Sequence, residues 1–185
     1  MRLYHTGFDI IKVPDLDRGR RNADFGPGFY LSPDGEFSRR WARERSGVST
    51  YVNEYELDLD GLVVKNLQRD VEWFDYIFRN RNEAVDANSS VDVVIGPIAN
   101  DTIYDVMGVT TSGFLEREQA LSLLTIGPIY TQVVIKSPKA ASQLKWLGAE
   151  ELSVEEIKSY RSLVNIEEDS FQTLFAEKLS EFVCS

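Results

Sequence analysis

Alternating and clustered hydrophobic positions along the chain predict short strands interleaved with amphipathic helices. Strict alternation or a short apolar run favours a strand, whereas apolar positions three or four residues apart favour a helix. The predicted strands cover residues 29–31 and 91–95. The predicted helical stripes are Val71, Phe74, Ile77 and Phe78, then residues 115–124, then Phe171, Leu174, Phe175, Leu179 and Phe182. Such a mixture, without internal repeats, predicts an α+β fold.

Polar residues next to these stripes predict where three helices begin. Asp34 can cap a helix over residues 36–45, because a side-chain oxygen at this position accepts N–H groups of the first turn. The other two starts are marked by Ser137 with Pro138 and by the capping-box pair Ser153 and Glu156. The last helix belongs to an acidic C-terminal segment that packs on the domain or docks a partner.

The composition is that of one globular domain and limits the chemistry. Of 185 residues, 43% are hydrophobic and 27% charged, which is ordinary for a folded domain. No apolar run could cross a bilayer and no signal peptide is visible, so a cytosolic protein is expected, unless a dedicated machine exports it. A single His and a single Cys exclude a conventional zinc site and a Cys/His dyad. We therefore expect no metal and no membrane.

The net charge of −10 is unevenly distributed. Residues 1–47 hold nine Lys/Arg against seven Asp/Glu, a local charge of +2, and the remaining chain holds eleven against twenty-three, a local charge of −12. The total argues against a duplex nucleic-acid binder, since phosphate contacts by Lys and Arg supply most of that affinity. The arginines near the N-terminus either bind the phosphates of a ligand or form a solvated face.

The segment Asp24-Phe25-Gly26-Pro27-Gly28-Phe29-Tyr30-Leu31-Ser32 is the most informative motif. Glycines at 26 and 28 let a ligand approach the main chain. Tyr30 and, eleven residues later, Trp41 can supply two aromatic walls, with Phe37 one helical turn before Trp41. The pattern suits a flat, partly cationic ligand, and the alternative is that these aromatics belong to the core.

This motif resembles the Phe-Gly-x-Gly-x-Tyr block of the ADP-ribosyltransferase superfamily, on the side of poly(ADP-ribose) polymerases and diphtheria toxin. The resemblance implies that Tyr30 and Trp41 sandwich the nicotinamide of NAD. Leu3-Tyr4-His5-Thr6-Gly7 resembles the first-strand histidine motif, which implies that His5 bonds the adenosine ribose and the Thr6 backbone holds the carboxamide. Thr6 replaces the usual glycine. The NAD-contacting set that the resemblance implies is His5, Thr6, Gly7, Gly28, Tyr30, Ser32 and Trp41.

Two later blocks extend the resemblance in the same order. Residues 51–57 resemble the next core strand, and residues 130–135, followed by a closing strand at 144–147, resemble the strand that carries the catalytic glutamate. Gln132 falls at the position of that glutamate. The chain also resembles small bacterial proteins that begin Leu-Tyr-His and carry a Gly-Pro-x-Ala-Asn-Asp block, here Gly96 to Asp101. Residues 1–148 would form a split-sheet core around an NAD cleft, and residues 149–185 a helical extension on the same domain.

The catalytic residues implied are Gln132, Asp101 and Tyr30. Cleavage of the nicotinamide–ribose bond creates an oxocarbenium-like centre, so the protein must hold NAD bent and stabilise positive charge. Gln132 can accept a hydrogen bond from the ribose hydroxyl but cannot act as a base. Asp101 would supply the missing carboxylate. The alternatives are that Gln132 is a polar residue on a half-buried strand and that Asp101 caps a helix over residues 103–107.

The resemblance implies mono-ADP-ribosyl transfer from NAD to a macromolecular target by a bacterial toxin or effector. The acceptor would be a protein or a nucleic acid, and a neighbouring antitoxin or immunity protein is a plausible partner by analogy. Two alternatives stay open. One is a module that binds NAD or ADP-ribose without catalysis, and the other is an acidic protein-interaction domain that works through its C-terminal helices.

Overall fold

The computed structural model describes residues 1–82, 90–100 and 115–183. These residues form seven strands and five helices. The strands are β1 (Arg2–Gly7), β2 (Phe29–Leu31), β3 (Thr50–Leu57), β4 (Val64–Asn66), β5 (Val93–Pro97), β6 (Thr131–Ile135) and β7 (Leu144–Leu152). The helices are α1 (Gly35–Arg39), α2 (Val71–Arg81), α3 (Arg117–Leu124), α4 (Pro138–Ser142) and α5 (Val154–Val183). The α+β prediction is confirmed.

Two small sheets face each other across a split. The first has the strand order β1-β3-β7 and is antiparallel throughout. The second has the order β2-β6-β5-β4, in which β4 and β5 are parallel and the other pairs antiparallel. One backbone pair joins the sheets, because Tyr4 and Ser32 exchange N–H···O bonds of 2.8 and 2.9 Å. Beyond this pair, the edges of β1 and β2 separate.

The hydrophobic core fills both faces of the second sheet. Between the sheets, Leu3 and Tyr55 pack against Val133 and Ile135 of β6. On the opposite face, helix α2 packs against Val134. The helix is oriented by Trp73, whose indole Nε1 donates to the Pro97 carbonyl at 2.8 Å. As a result Val71 and Phe78 of the predicted stripe are exposed, and Trp73 and Tyr76 are buried beside Phe74 and Ile77 instead.

Helix α1 begins where Asp34 predicts and ends earlier than predicted. The Asp34 carboxylate accepts from the N–H groups of Glu36 and Phe37 at 2.9 and 3.1 Å. The helix stops at Arg39 rather than at residue 45. The reason is a tightening of the chain, because the N–H groups of Trp41 and Ala42 bond to the carbonyls three residues back. This turn redirects Trp41 toward the split between the sheets.

Helix α5 runs for 30 residues from the predicted capping box. The Ser153 N–H donates to the Glu156 carboxylate at 2.8 Å, and the Glu156 N–H donates back to Ser153 Oγ at 3.2 Å. Further along, Phe171 and Phe175 are buried with Leu123 of α3, and Leu179 and Phe182 pack beside them. Leu174 does not belong to this face and is 49% exposed. No helix in the described ranges is both long and apolar enough to cross a membrane.

Candidate functional site

The split between the two sheets contains a cavity of about 470 Å³. We call this cavity the cleft. Residues from β1, β2, α1, the turn after α1 and β6 line it, so sequence-distant segments converge there. The lining residues are Tyr4, His5, Thr6, Arg20, Asn22, Ala23, Asp24, Tyr30, Leu31, Ser32, Phe37, Ser38, Trp41, Arg43, Ile98 and Gln132. Five of the residues expected to contact NAD and two of the three expected catalytic residues are in this set.

His5 lines the cleft as a neutral imidazole whose tautomer is fixed by one hydrogen bond. Its Nδ1 lies 2.8 Å from the Tyr30 carbonyl, and since a carbonyl can only accept, Nδ1 carries the proton. Burial lowers the pKa of His5, and the ring packs on Phe29 with 4.7 Å between centroids. The Nε2 atom is therefore a hydrogen-bond acceptor at neutral pH. A Cβ on Gly7 would lie 3.3 Å from Nε2, so glycine keeps this atom accessible.

The Tyr30 side chain is held by its own hydroxyl. The hydroxyl donates to the Gly26 carbonyl at 2.6 Å and accepts from the Phe25 N–H at 3.0 Å. Burial raises the pKa of Tyr30, so the phenol stays protonated. Both bonds join the hydroxyl to the glycine-rich turn, so they hold the Tyr30 side chain in place. The residue lines the cleft in this fixed position. The expected role of Tyr30 as an aromatic wall fits this geometry better than a role in proton transfer.

Trp41, which also lines the cleft, belongs to a cluster of three aromatic side chains. Trp41 packs edge-on against Phe37 with 6.1 Å between centroids. Phe37 is stacked face to face on Tyr130 at 4.1 Å. The Tyr130 hydroxyl donates to Glu167 of α5 at 2.8 Å, and Arg40 donates to both groups. The long C-terminal helix thus braces the wall that carries Trp41.

The free edge of β1 offers main-chain groups to the cleft. Alternate residues of a strand direct their N–H and C=O groups to the same edge. The N–H and C=O groups of Tyr4 bond to Ser32 across the split. The N–H and C=O groups of Thr6 therefore point to the same edge, at a position where β1 and β2 no longer pair. Beside them, Thr6 Oγ1 and Ser38 Oγ share a hydrogen bond of 3.0 Å. Sequence reasoning missed Ser38, although its position on the buried face of α1 follows from the Asp34 cap.

Gln132 lies in the cleft wall, on the central strand of the second sheet. The residue is 6% exposed, and its Nε2 atom is buried without a hydrogen-bond partner in the described part of the chain. Strands β2 and β6 are antiparallel and Leu31 lies opposite Val133, so the next position in this register places Gln132 opposite Ser32. A buried amide N–H left without a partner costs about 1–3 kcal/mol. Gln132 therefore carries an unsatisfied amide N–H beside the cleft.

A second cavity of about 350 Å³ adjoins the cleft and shares His5 and Tyr30 with it. The predicted residues Gly7 and Gly28 line this second cavity rather than the cleft. Gly28 has φ 148°, and a Cβ there would lie 2.6 Å from the Ile135 carbonyl oxygen, so only glycine fits. Asp9 and Arg18 form an ion pair of 2.8 Å at this cavity. The two cavities together suit a ligand with two halves.

The carboxylate supply of the cleft is restricted. Asp24 is the one acidic residue among its described lining residues, and it is buried with Arg81 at 2.8 Å. Its other oxygen accepts from the Ala99 N–H at 3.1 Å. Asp101, expected to supply a carboxylate, lies outside the described residues, as does the helix expected at 103–107. The cleft therefore offers no free carboxylate within the described ranges.

The neighbouring Asn100 has a structural task. It is fully buried, and its Oδ1 accepts from Arg69 Nη2 at 3.0 Å while its Nδ2 donates to the Pro128 carbonyl at 3.0 Å. Arg69 also donates to the carbonyls of Thr125, Gly127 and Pro128. Together the two side chains hold the loop that leads into β6. Because this loop directly precedes β6, its position determines where Gln132 lies along the cleft wall.

Comparison with known proteins gives a family. A family model described as "Protein of unknown function (DUF3990)" matches residues 1–146. No curated protein and no solved structure matches the chain. The matched range contains β1 to β6, the start of β7 and every residue that lines the cleft. The chain belongs to the DUF3990 family.

Proposed function

We propose that the protein is a mono-ADP-ribosyltransferase that uses NAD to modify a macromolecular acceptor, as a bacterial toxin or effector. The observation that carries the proposal is the convergence of His5, Tyr30, Trp41 and Gln132 on one cavity. These four residues come from separate segments of the chain. Their order is that of the superfamily that the sequence resembles, with Gln132 at the position of the catalytic glutamate.

The proposed NAD pose divides the dinucleotide between the two cavities. The nicotinamide would stack between Tyr30 and Trp41 in the cleft, and the adenosine half would occupy the second cavity. His5 belongs to both cavities, so its Nε2 acceptor suits a ribose hydroxyl at the junction. Arg20, an exposed cation on the rim of the cleft, would interact with the pyrophosphate.

Polar groups of three residues would orient the nicotinamide end. The Thr6 N–H and C=O groups match the oxygen and the amide protons of a carboxamide, and the Ser38 hydroxyl lies beside them. Gln132 would donate its unpartnered N–H to a hydroxyl oxygen of the adjacent ribose. Such groups cannot all be satisfied by a small apolar ligand. They favour a ligand with an amide and a sugar close together.

The proposed reaction breaks the bond between ribose C1 and the nicotinamide nitrogen. The bonding electron pair moves to the nicotinamide ring and neutralises its positive charge, while the acceptor supplies the electron pair for the new bond to C1. Gln132 orients the ribose and contributes no charge. We expect slow turnover and a single ADP-ribose per modified site, with water as acceptor when no other is present.

The second candidate is a module that binds NAD without cleaving it. The observation that favours it is the absence of a free carboxylate among the described lining residues, since Asp24 is bound by Arg81. Gln132→Glu distinguishes the two functions. A transferase should already release nicotinamide in its wild-type form, whereas a binding module should release it only after this substitution.

Calorimetry with NAD tests the pocket first. Stacking of a base on an aromatic side chain contributes about 1–3 kcal/mol, so Trp41→Ala should weaken NAD binding by roughly one to two decades. Trp146→Ala is the matched control, because Trp146 is a half-buried tryptophan of β7 that lines none of the cavities described above. Equal NAD affinity of a folded Trp41→Ala variant and wild type would contradict the pocket.

Biotin-labelled NAD then tests transfer. Incubation of purified protein with a bacterial lysate should label a discrete acceptor, and chromatography should show nicotinamide released in step with the label. Gln132→Ala should lower this rate by about two to four decades while NAD still binds. NAD binding without label and without nicotinamide release would decide for the binding module.

A further inference from the structure

A shallow hollow adjoins the cleft on the side of the Trp41 wall, and we call it the arginine hollow. It is lined by Phe37, Arg40, Trp41, Arg43, Arg161, Val164 and Glu167. Phe37, Trp41 and Arg43 also line the cleft, so the two spaces share a border. Tyr130, which stacks on Phe37, directly precedes β6 and lies two residues before Gln132 in the chain. The hollow therefore lies on the edge of the cleft near Gln132 and was not recognised in the sequence.

The charges in the arginine hollow do not balance. Glu167 is paired with Arg40 at 2.6 Å, which leaves Arg43 and Arg161. Neither of these two has a carboxylate partner in the described ranges, and Arg43 donates to the Ala42 carbonyl at 3.1 Å. Burial and the nearby charge of Arg161 lower the pKa of Arg43, so the two guanidinium groups repel each other. The described residues that line the hollow carry a net charge of +2, in a chain whose net charge is −10.

We propose that Arg43 and Arg161 bind a phosphomonoester of the acceptor and that the acceptor is a phosphorylated protein. This inference rests on the proposed function. A phosphomonoester carries close to two negative charges at neutral pH and matches two guanidinium groups through bidentate bonds. A carboxylate would neutralise only one of them. A nucleic acid would bring further phosphates toward the rest of the chain, which has a local charge of −12 beyond residue 47.

A phosphate acceptor also removes the need for a general base, which the described cleft does not supply. One phosphate oxygen would form the new bond to ribose C1, and the C1–nitrogen bond would break with its electron pair moving to nicotinamide. No proton has to be removed from a phosphate dianion. Gln132 would orient the ribose in this step, and Arg43, which lines both spaces, would hold the phosphate at their border.

Binding of a labelled peptide tests the arginine hollow on the full chain. The probes are a short fluorescent peptide with one phosphoserine, the same peptide without phosphate, and a 5′-phosphorylated single-stranded oligonucleotide. Fluorescence anisotropy should show binding of the phosphopeptide, and loss of the phosphate should weaken it about tenfold or more. Arg161→Gln and Arg43→Gln should each weaken phosphopeptide binding by a similar factor. Arg79→Gln, which removes one exposed positive charge outside the cavities, should leave it unchanged.

Each other outcome overturns the inference. Equal affinity for the two peptides would show that the hollow has no phosphate subsite. Tighter binding of the oligonucleotide would show that the acceptor is a nucleic acid rather than a protein. If Arg161→Gln and Arg79→Gln weaken phosphopeptide binding equally, the effect comes from the net charge of the protein and not from the arginine hollow. NAD affinity, measured separately by calorimetry, distinguishes these failures from a failure of the proposed function. If phosphopeptide binds but biotin-NAD does not label its phosphate, the nucleophile assignment is wrong.

Discussion

At the scale of single residues, the buried amide of Gln132 makes a test that separates stability from function. We expect Gln132→Leu to raise the free energy of unfolding by about 1 kcal/mol, because an apolar side chain of similar size removes an unpartnered N–H. The same change should abolish nicotinamide release. Urea unfolding and chromatographic detection of nicotinamide measure the two effects.

Asn53 provides the matched control for this substitution. It is fully buried on β3, and its Oδ1 accepts from the Ile11 N–H at 2.8 Å while its Nδ2 donates to the Asp9 carbonyl at 2.9 Å. Asn53→Leu should therefore lower the free energy of unfolding by about 1–3 kcal/mol. If Gln132→Leu is destabilising to the same degree, the amide of Gln132 has partners in solution and its assignment to the ligand is wrong.

His5 predicts a pH dependence of stability with a definite sign. Burial lowers the pKa of His5 in the folded state below that of the unfolded chain, so the unfolded state binds the proton first as pH falls. Stability should be complete above the ordinary histidine pKa of about 6.5 and should decline as pH falls below it, toward the lowered value. His5 is the one histidine, so thermal unfolding of wild type and His5→Gln from about pH 7 to pH 5 isolates it. Parallel curves would contradict the buried, neutral state.

At the scale of elements, helix α5 should affect NAD binding from outside the cleft. Glu167→Ala removes the acceptor that Arg40 and Tyr130 share, and the stack under Trp41 loses its brace. We expect NAD affinity to fall about three- to tenfold, with less than about 1 kcal/mol lost in stability, because half-exposed ion pairs contribute little. Glu168→Ala is the control, since Glu168 accepts from Gln172 on the same helix and from no other residue in the described ranges. Calorimetry that finds equal NAD affinities would remove α5 from the site.

The ion pair of Asp24 and Arg81 should hold the glycine-rich turn to helix α2. Both side chains are 4% exposed, and Asp24 Oδ1 accepts from Arg81 Nε at 3.0 Å and from Nη2 at 2.8 Å. Arg81→Met should cost about 3–5 kcal/mol, because a buried carboxylate loses its cation. Adding Asp24→Asn to this variant should restore much of the loss in urea unfolding. A double variant no more stable than Arg81→Met would show that packing, rather than charge, dominates.

The start or end of a helix can be predicted from the sequence when the residues that determine it lie close together in the chain. The caps at Asp34, Ser137 and Ser153 depend on residues within one turn, and all three predicted starts are observed. The predicted end of α1 was wrong because the turn through Trp41 places this side chain in an aromatic cluster with Phe37 and Tyr130, and Tyr130 is distant in the sequence. The exposed position of Leu174 follows likewise from the place where α3 meets α5.

At the scale of the whole molecule, the sequence motifs selected residues that line one cavity, but they did not indicate the partners of these residues. Tyr30, Trp41, His5 and Gln132 were selected by type and order, and they meet in one cavity. Ser38, Arg161 and the Asp24–Arg81 pair were missed as site features because each depends on packing between segments far apart in sequence. Burial of a charge, in particular, has no local signature until its partner is known.

The strand order also fixes when the cleft can form during synthesis. In the first sheet, β3 lies between β1 and β7, and in the second, β6 lies between β2 and β5. Each sheet therefore joins a strand made early to one made late, and such long-range pairing must wait for the late strand. A nascent chain on the ribosome has no complete cleft before β6 and β7 emerge. A prematurely terminated chain lacking β6 has neither Gln132 nor the strand that joins β2 to β5, so β6 must be translated before the proposed activity can appear.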